Sequence, residues 1–404
     1  MKLKILAIGD LANNNVKLKK FLKNHEMHII NFRWKTQSVI MDEKENVEFF
    51  NSNNILEQVK HIEEIKDDYD LCLAISPAGA RVAYLADLNY LIYFVGHDIR
   101  TPPFKKNVKD PFSNDTPIMN FNFLERKFYK NVYDDAKACV TTGAESYENL
   151  LKYRKDAKRI DNYIIDSTIF NSQSKVEKTK KSKFTFLAPQ RIGLFKGYDI
   201  ILDAIEKCET EFEIWQIEWF DRRNFQEEQF EEEFFRRLPK QVKLIAPVKR
   251  DEMVKLYQSA DAILGQMKVG NMGSVELEAA MMEKPVLCFY DIKMPYIIDG
   301  KEIVSPFLPN SRKSEDLARL MDKVVSSKKF REDLAKKEYD FAKILTNEEK
   351  AILEWEKIFE ETFLKCKSIN RNSSTISKKF RIYYFSIINR LYVKKIKNYL
   401  KKRN

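Results

Sequence analysis

The sequence predicts an α/β protein with two doubly wound, Rossmann-like domains that face each other across a cleft, followed by a C-terminal basic amphipathic helix. Short apolar runs alternate with segments of helical period along the chain, which is the pattern of parallel β-α-β units. The pattern stops at a polar segment and then starts again. The length of 404 residues is typical of two domains, or three.

The predicted strands of the first domain are KLKILAIG, EMHIINF, DLCLAIS, LIYFVG and ACVTT, and those of the second are FTFLAP, FEIWQI, VKLIAP, DAILGQ and KPVLCFY. The segment between them, NSQSKVEKTKKSK, is rich in lysine and serine and indicates a linker. We therefore predict a first domain over 1–170, a linker over 171–183, a second domain over 184–345, a helix over 346–367 that packs back toward the first domain, and a tail over 368–404.

Composition excludes several classes of protein. Hydrophobic residues make up 44% of the chain, enough for sizeable cores, and no apolar run approaches the roughly 20 residues of a membrane-spanning helix. The N-terminus predicts a first strand rather than a signal peptide. The five cysteines are scattered, which indicates buried thiols in a reducing compartment. The acidic string DDYD precedes a strand, so we interpret it as a solvated turn and expect no metal cofactor.

The net positive charge comes from the C-terminal end of the chain. Thirteen lysines and arginines follow Glu361 and no acidic residue does, so the first 361 residues carry a net charge of −2 although the chain carries +11. A nearly neutral main body argues against a nucleic-acid-binding globule.

The second domain opens with the stretch FTFLAPQRIGLFKGYDIILDAI. Arg191 and Lys196 lie in the loop after a strand, and Gly197 precedes a helix. An anion is favoured at such a helix start, and Arg and Lys are suited to bind phosphate. The alternative is two solvated cations before an ordinary helix.

A second segment, VGNMGSVELEAAMMEKPVL, spans residues 269–287. It predicts a loop and then a helix whose first N–H groups, at Gly273 and Ser274, are free to bind a phosphate. Glu278 lies near the middle of that helix, close to its buried side. The alternative is an amphipathic helix in which Glu278 pairs with a lysine.

Together the two segments resemble the family 4 glycosyltransferases, which are retaining enzymes of the GT-B fold. That family carries an Arg-x4-Lys-Gly loop and then a Glu-x7-Glu motif before a strand that begins with Lys-Pro-Val. Arg191, Lys196 and Gly197 match the first motif, and Gly273 and Glu278 belong to the segment that matches the second. In the first domain, CVTTGAESYENLLK, IIDSTIF and YFVGHDIR are similar to further family segments. The resemblance covers roughly residues 1 to 365.

The resemblance implies a metal-independent hexosyltransferase that uses a nucleotide-sugar donor. Arg191 and Lys196 would neutralise the donor diphosphate, and Glu278 would bind the ribose. The family's first glutamate, which touches the donor sugar, is replaced by Gly270. The loop would then hold the sugar through backbone N–H groups, Asn271 or a water molecule. We predict that Lys196→Ala and Glu278→Ala each lower transfer strongly while leaving the fold intact.

In the first domain, the resemblance implies that His97 and Asp98 lie beside the reacting sugar, with His97 catalytic. The alternative is a histidine that caps the end of a strand. The glycine-rich loop that often follows the family's first strand is reduced to Gly9, with Asp10 next to it. We assign Asp98, Gly9 and Asp10 to the acceptor side.

The tail predicts a helix with a basic face of Arg390, Lys394, Lys397 and Lys401. Its opposite face carries Phe385, Ile388, Tyr392, Ile396 and Tyr399. This is the pattern of a helix bound to an anionic membrane surface. The alternatives are docking on the first domain or binding nucleic acid.

The complete hypothesis is a cytoplasmic, peripheral membrane glycosyltransferase of glycan biosynthesis. Its acceptor would be a glycan or lipid-linked glycan at the inner membrane face, with no nucleic acid partner. Two alternatives on the same fold are an inactive nucleotide-binding subunit and a sugar-nucleotide epimerase.

Overall fold

The computed structural model describes residues 1–33, 47–106, 108, 121–173, 179, 181–221, 225–368 and 378–390. The first domain is built on a parallel sheet of seven strands in the order β3-β2-β1-β4-β5-β6-β7. These strands are β1 Lys4–Ile8, β2 Glu26–Asn31, β3 Glu48–Phe49, β4 Leu71–Ile75, β5 Tyr90–Phe94, β6 Ala138–Thr142 and β7 Lys158–Ile160.

Helices cover both faces of this sheet: α1 Asn14–Phe21, α2 Ile55–Ile65, α3 Ser76–Leu85, α4 His97–Arg100, α5 Phe123–Asp135 and α6 Ala144–Leu151. The sequences of β4 and β5 are continuous apolar runs, and every residue of both strands is buried. Burial on both faces is the physical reason why strands of a parallel sheet lack alternation.

The second domain contains a parallel sheet in the order β10-β9-β8-β11-β12. Its strands are β8 Thr185–Ala188, β9 Glu213–Ile217, β10 Val242–Ile245, β11 Ala262–Leu264 and β12 Val286–Leu287, and an antiparallel hairpin follows, β13 Tyr296–Ile298 and β14 Lys301–Ile303. The helices are α7 Tyr198–Ile205, α8 Phe225–Arg237, α9 Arg250–Ser259, α10 Ser274–Met281, α11 Ser314–Ser326 and α12 Lys328–Leu345.

The strand order of each sheet reverses direction at one point. In the first sheet β1 lies between β2 and β4, and in the second β8 lies between β9 and β11. Ligands of doubly wound sheets bind at this switch point, beyond the carboxyl ends of the strands. The loops after β8 and β11, which hold both sequence motifs of the second domain, therefore lie side by side.

The last two helices that the structure describes pack on the first domain. Helix α13, Glu348–Ser368, covers one face of the first sheet, with Trp355 edge-on to Tyr93 at 5.0 Å between ring centroids. Helix α14, 378–390, packs on the opposite core, where Phe385 and Ile388 are each 4% exposed.

Two expectations from composition can be compared with the structure. The five cysteines are free thiols, four of them buried and Cys208 half-buried. In the described parts of the chain, no helix is both long enough and apolar enough to cross a membrane.

Candidate active site between the two domains

The loop after β8 places Arg191 and Lys196 at the switch point of the second sheet. The Arg191 guanidinium lies over the Trp219 ring at 5.3 Å from its centroid and 3.7 Å from the buried Asp221 carboxylate. A short 3₁₀ turn, Leu194–Lys196, follows, and Gly197 adopts a left-handed conformation with φ +74° before α7 begins. The two cations of the motif are therefore carried by a short, sharply turned loop.

Helix α8 supports that loop through one buried side chain. Buried Glu227 accepts hydrogen bonds from the N–H groups of Leu194 and Phe195, at 2.7 and 2.9 Å. Both donors belong to the first turn before Lys196, where backbone N–H groups have no partner within the turn itself. Sequence reasoning missed Glu227 because the charged stretch around it has the pattern of any solvated helix.

The loop after β11 is shaped by one buried glutamine. Gln266 Oε1 accepts the N–H groups of Lys268 and Val269, and its Nε2 donates to the carbonyl of Asn271. This loop also contacts the first one, because the Met267 N–H donates to the Lys196 carbonyl at 2.8 Å. The two motifs of the second domain are thus joined by direct backbone contact.

The N-terminus of α10 differs from the sequence-based expectation. Gly273 N–H is not free: it donates to the Glu276 carboxylate at 2.9 Å, and the other oxygen of Glu276 accepts the Gln266 N–H. A carboxylate on the helix's own first turn therefore occupies one of the two donors predicted for a phosphate. Within the described residues, the N–H of Ser274 makes no hydrogen bond, and its predicted role stays a prediction.

Glu278 is buried, at 5% exposure, and its partner is an arginine rather than the lysine considered from sequence. It forms an ion pair with Arg250 at the start of α9, and Tyr257 Oη lies 3.5 Å from its second oxygen. The Arg250 guanidinium also lies 4.8 Å from the centroid of the Phe170 ring. Glu278 is therefore held in a fixed position at the edge of the cleft.

Lys17 reaches this site from the first domain. It lies on α1 and is 5% exposed, and its Nζ is 3.5 Å from Ser274 Oγ at the first residue of α10. Burial, followed by the Arg250 guanidinium, lowers the pKa of Lys17 to about 8, while the Glu278 carboxylate acts in the opposite direction. Sequence reasoning missed Lys17 because nothing local distinguishes it from the other lysines of α1.

Gly9 and Asp10, which were predicted for the acceptor side, lie in the loop between β1 and α1. Gly9 has φ +88°, and a Cβ there would lie 3.1 Å from the Ile75 carbonyl oxygen. The buried Asp10 carboxylate accepts the N–H groups of Asn15 and Val16 in α1. Burial raises the pKa of Asp10 to about 6, against those two hydrogen bonds. Because its carboxylate already accepts hydrogen bonds from α1, Asp10 stabilises the loop before that helix rather than facing the cleft.

The His-Asp segment begins α4, just past the end of β5. The Asp98 carboxylate accepts the N–H groups of Val95 and Gly96, so it closes the turn between β5 and α4. The side chain of His97 lies outside the described part of the structure, and its catalytic role stays a prediction. Two residues after Asp98, Arg100 forms an ion pair with buried Glu145. Its guanidinium also lies 5.6 Å from the centroid of the Phe195 ring in the second domain.

The remaining predictions concern the metal and the tail. Among the described side chains, no group of three or more His, Cys, Asp or Glu is placed to hold a metal ion. Arg390 is exposed at the end of α14, whereas Lys394, Lys397 and Lys401 lie outside the described residues. Phe385 and Ile388, predicted for the membrane-facing side, pack on the first domain instead, which is the docking alternative for this half of the tail.

Two facing parallel α/β domains, with cations and a helix start at the switch point of the second, define a protein of the GT-B fold. Residues 170–341 match the family model described as Glycosyl transferases group 1. The resemblance predicted from the sequence is confirmed. A comparison with curated protein sequences gives no match.

Solved structures agree with this fold. The chain is similar to HepE from Anabaena in complex with UDP and glucose, with a TM-score of 0.64 and 16% identity over 89% of this chain and 100% of that one. A glycosyltransferase from Rickettsia africae ESF-5 gives 0.59 and 19% over 92% and 100%. Sucrose-phosphate synthase from Thermosynechococcus elongatus gives 0.62 and 12% over 89% and 99%. The predicted fold class is confirmed.

Proposed function

We propose that the chain is a retaining hexosyltransferase that moves a sugar from a nucleoside-diphosphate sugar to a glycan or lipid-linked glycan at the cytoplasmic face of a membrane. The observation that carries this proposal is the contact between the two loops at the switch point, where Met267 N–H bonds to the carbonyl of Lys196. That contact puts Arg191 and Lys196 beside the loop that leads into α10. UDP bound in HepE supports a nucleotide donor.

The chemistry follows from charge. Breaking the bond between a sugar and a diphosphate builds negative charge on the leaving oxygen, and Arg191 and Lys196 are cations in position to stabilise it. Contacts of this kind are worth about 3 kcal/mol each when they act on developing charge. Lys17 adds a third cation from the other domain, so the two domains would bind the diphosphate together. Closure of the domains would exclude water and limit hydrolysis. No metal is required in this scheme.

The proposal is tested first by binding. We expect at least one of UDP, GDP and ADP to raise the melting temperature of the protein, and Lys196→Ala to weaken that nucleotide about a hundredfold with little change in the unliganded melting temperature. Lys207→Ala, a surface lysine that pairs with Glu315, is the matched control and should bind normally. If none of the three nucleotides binds, the chain is not a nucleotide-sugar enzyme.

Activity then separates the two classes of enzyme. The chain is also similar to a putative UDP-N-acetylglucosamine 2-epimerase from Listeria monocytogenes, with a TM-score of 0.52 and 15% identity over 89% of this chain and 98% of that one. A transferase consumes donor only when an acceptor is present, apart from slow hydrolysis. Conversion of the donor sugar to its epimer without acceptor would replace the transferase proposal with the epimerase.

Membrane association is tested separately. We propose that the basic end of the tail, including Arg390, Lys394, Lys397 and Lys401, holds the protein at an anionic leaflet. The full chain should sediment with vesicles that contain anionic lipid and should be released by salt. Removing residues 391–404, which spares α14, should abolish sedimentation. Equal sedimentation of the shortened chain would contradict the proposal.

A further inference from the structure

Gly270 lies where a side chain would be both strained and crowded. Its φ of +83° is left-handed, and a Cβ at this position would lie 3.0 Å from Asp291 Cβ and 3.1 Å from Phe289 Cε1. Such distances are shorter than ordinary contacts between non-bonded carbon atoms. A side chain at position 270 would therefore strain the backbone and require Asp291 and Phe289 to shift, which favours glycine here.

The neighbour that takes the space is itself acidic. Asp291 follows β12, the strand next to β11 in the second sheet, and its N–H donates to the Gly270 carbonyl at 3.0 Å. This hydrogen bond fixes the backbone of Asp291 against the loop after β11. An acidic residue is thus present beside position 270, and it is supplied by the loop after β12.

The Asp291 carboxylate keeps unused hydrogen-bonding capacity. One oxygen accepts the N–H of Lys293 at 3.0 Å. Within the described residues, no lysine, arginine or histidine pairs with Asp291, and its other oxygen makes no hydrogen bond. Because Asp291 is half-buried, its carboxylate is less fully solvated than that of an exposed surface acid.

The adjacent backbone offers the complementary groups. The N–H groups of Gly270 and Asn271 make no hydrogen bond to any part of the chain that the structure describes. Gln266 holds this loop in place through three hydrogen bonds. A carboxylate oxygen accepts from hydroxyl groups and backbone N–H groups donate to their oxygens, so the cluster suits a polyhydroxyl ligand such as a hexose.

We propose that Asp291 contacts the donor sugar and determines which sugar is accepted. This inference rests on the proposed function, since it deepens the donor site of the same enzyme. The carboxylate accepts hydrogen bonds from sugar hydroxyls, and no covalent step is involved. Asp291, in the loop after β12, then makes the acidic contact to the donor sugar that Gly270 cannot make.

The test compares nucleotide and sugar nucleotide on the same variants of the full chain. Calorimetry gives the affinities of UDP, GDP and ADP and of UDP-glucose, UDP-galactose, GDP-mannose and ADP-glucose. Asp291→Asn keeps an oxygen for the Lys293 N–H, and should leave the affinity for the free nucleotide within about twofold while lowering that for its sugar conjugate about ten- to a hundredfold, as expected for hydrogen bonds to a charged group. Asp299→Asn, an exposed acid paired with Lys350, is the control and should change neither.

A second measurement separates contact from support. If Asp291 accepts hydrogen bonds from sugar hydroxyls, Asp291→Asn also reduces the ratio of kcat/KM between epimeric donors such as UDP-glucose and UDP-galactose. Equal loss for nucleotide and sugar nucleotide, or an unchanged epimer ratio, would show that Asp291 only supports the loop and would overturn the proposal. Failure of the wild-type protein to bind any nucleotide would remove the proposed function as well, which is a different result.

Discussion

Glu278 shows how a single residue can combine an expected role with an unexpected constraint. Its position in the motif predicts a ribose contact, but its carboxylate also neutralises Arg250 in a buried pair. Removing one partner of such a pair costs about 3–5 kcal/mol, because the other charge stays buried. Glu278→Ala is therefore expected to weaken the fold as well as transfer, and Glu278→Gln is the better variant for testing the ribose contact.

Gly270 and Gly300 allow backbone strain to be separated from crowding. Both have positive φ, +83° and +74°, but a Cβ at Gly300 would meet nothing within 4 Å. We expect Gly300→Ala to lower the free energy of unfolding by about 1–2 kcal/mol, the cost of a left-handed alanine. Gly270→Ala should lose at least 1 kcal/mol more because of the contacts with Phe289 and Asp291. Urea denaturation measures both, and equal losses would mean that the loop relaxes around the new side chain.

Asp10 gives the protein a specific pH dependence. Its pKa is about 6 in the folded protein against an ordinary 3.8, so the folded state binds the proton more tightly. The stability that this provides is complete below pH 3.8 and is lost as pH rises through 6. One pKa unit is worth about 1.4 kcal/mol, so the loss is roughly 3 kcal/mol.

The variant that tests this is Asp10→Asn, which removes the charge. It should be more stable than the wild type by about 3 kcal/mol at pH 7, and the difference in free energy of unfolding should shrink to about 1 kcal/mol at pH 4.5. Urea denaturation of both proteins at the two pH values measures it. A difference that is the same at both values would show that Asp10 does not titrate in this range.

At the scale of elements, α8 supports the loop of Lys196 although it lies outside both sequence motifs. Its first turn supplies Glu227, which accepts two backbone N–H groups of the 3₁₀ turn. We expect Glu227→Ala to cost about 2 kcal/mol of unfolding free energy, because a buried donor at Phe195 and a part-buried donor at Leu194 lose their acceptor. Nucleotide affinity should fall with it, since Lys196 loses its fixed position.

The control lies on the same helix. Glu232 is exposed on α8, and Glu232→Ala should leave both stability and nucleotide affinity within experimental error. Calorimetry on the two variants distinguishes support of the loop from a general effect of acidic charge. Normal nucleotide affinity in Glu227→Ala would show that Lys196 keeps its position without this support.

At the scale of the whole molecule, two helices from the C-terminal part of the chain contact the first domain. Helices α13 and α14 both pack on the first domain, on opposite faces of its sheet. Helix α14 is further attached by the ion pair of Arg381 with Asp87 and by a hydrogen bond from Tyr384 Oη to the Leu124 carbonyl at 2.9 Å. The first half of the basic tail is therefore part of the folded protein.

Ile388→Ala tests that packing. The side chain is 4% exposed in the first-domain core, and truncating a buried isoleucine typically costs about 2–5 kcal/mol. Arg390→Ala, two residues later and exposed, should change stability by less than 0.5 kcal/mol. Differential scanning calorimetry measures both. An unchanged melting temperature for Ile388→Ala would mean that α14 does not stay docked in solution.

The fold class and the main motifs could be predicted from the sequence because they depend on local patterns. Apolar runs alternating with helical segments define parallel sheets wherever they occur. The spacing of Arg191, Lys196 and Gly197, and of Glu278 before the Lys-Pro-Val strand, does not depend on the rest of the chain. Gly270 could be recognised as a departure, but not explained.

Tertiary structure alone decided which distant residues complete the site. Lys17 meets Ser274, Glu278 meets Arg250, Glu227 meets Leu194, and Asp291 meets Gly270. Only chain folding brings these partners together, and Lys17, Arg250, Glu227 and Asp291 look like ordinary surface charges in the sequence. The sequence by itself determined two domains and the positions of the cations. The packed structure decided which carboxylates and cations surround them, because burial and proximity are properties of the folded chain.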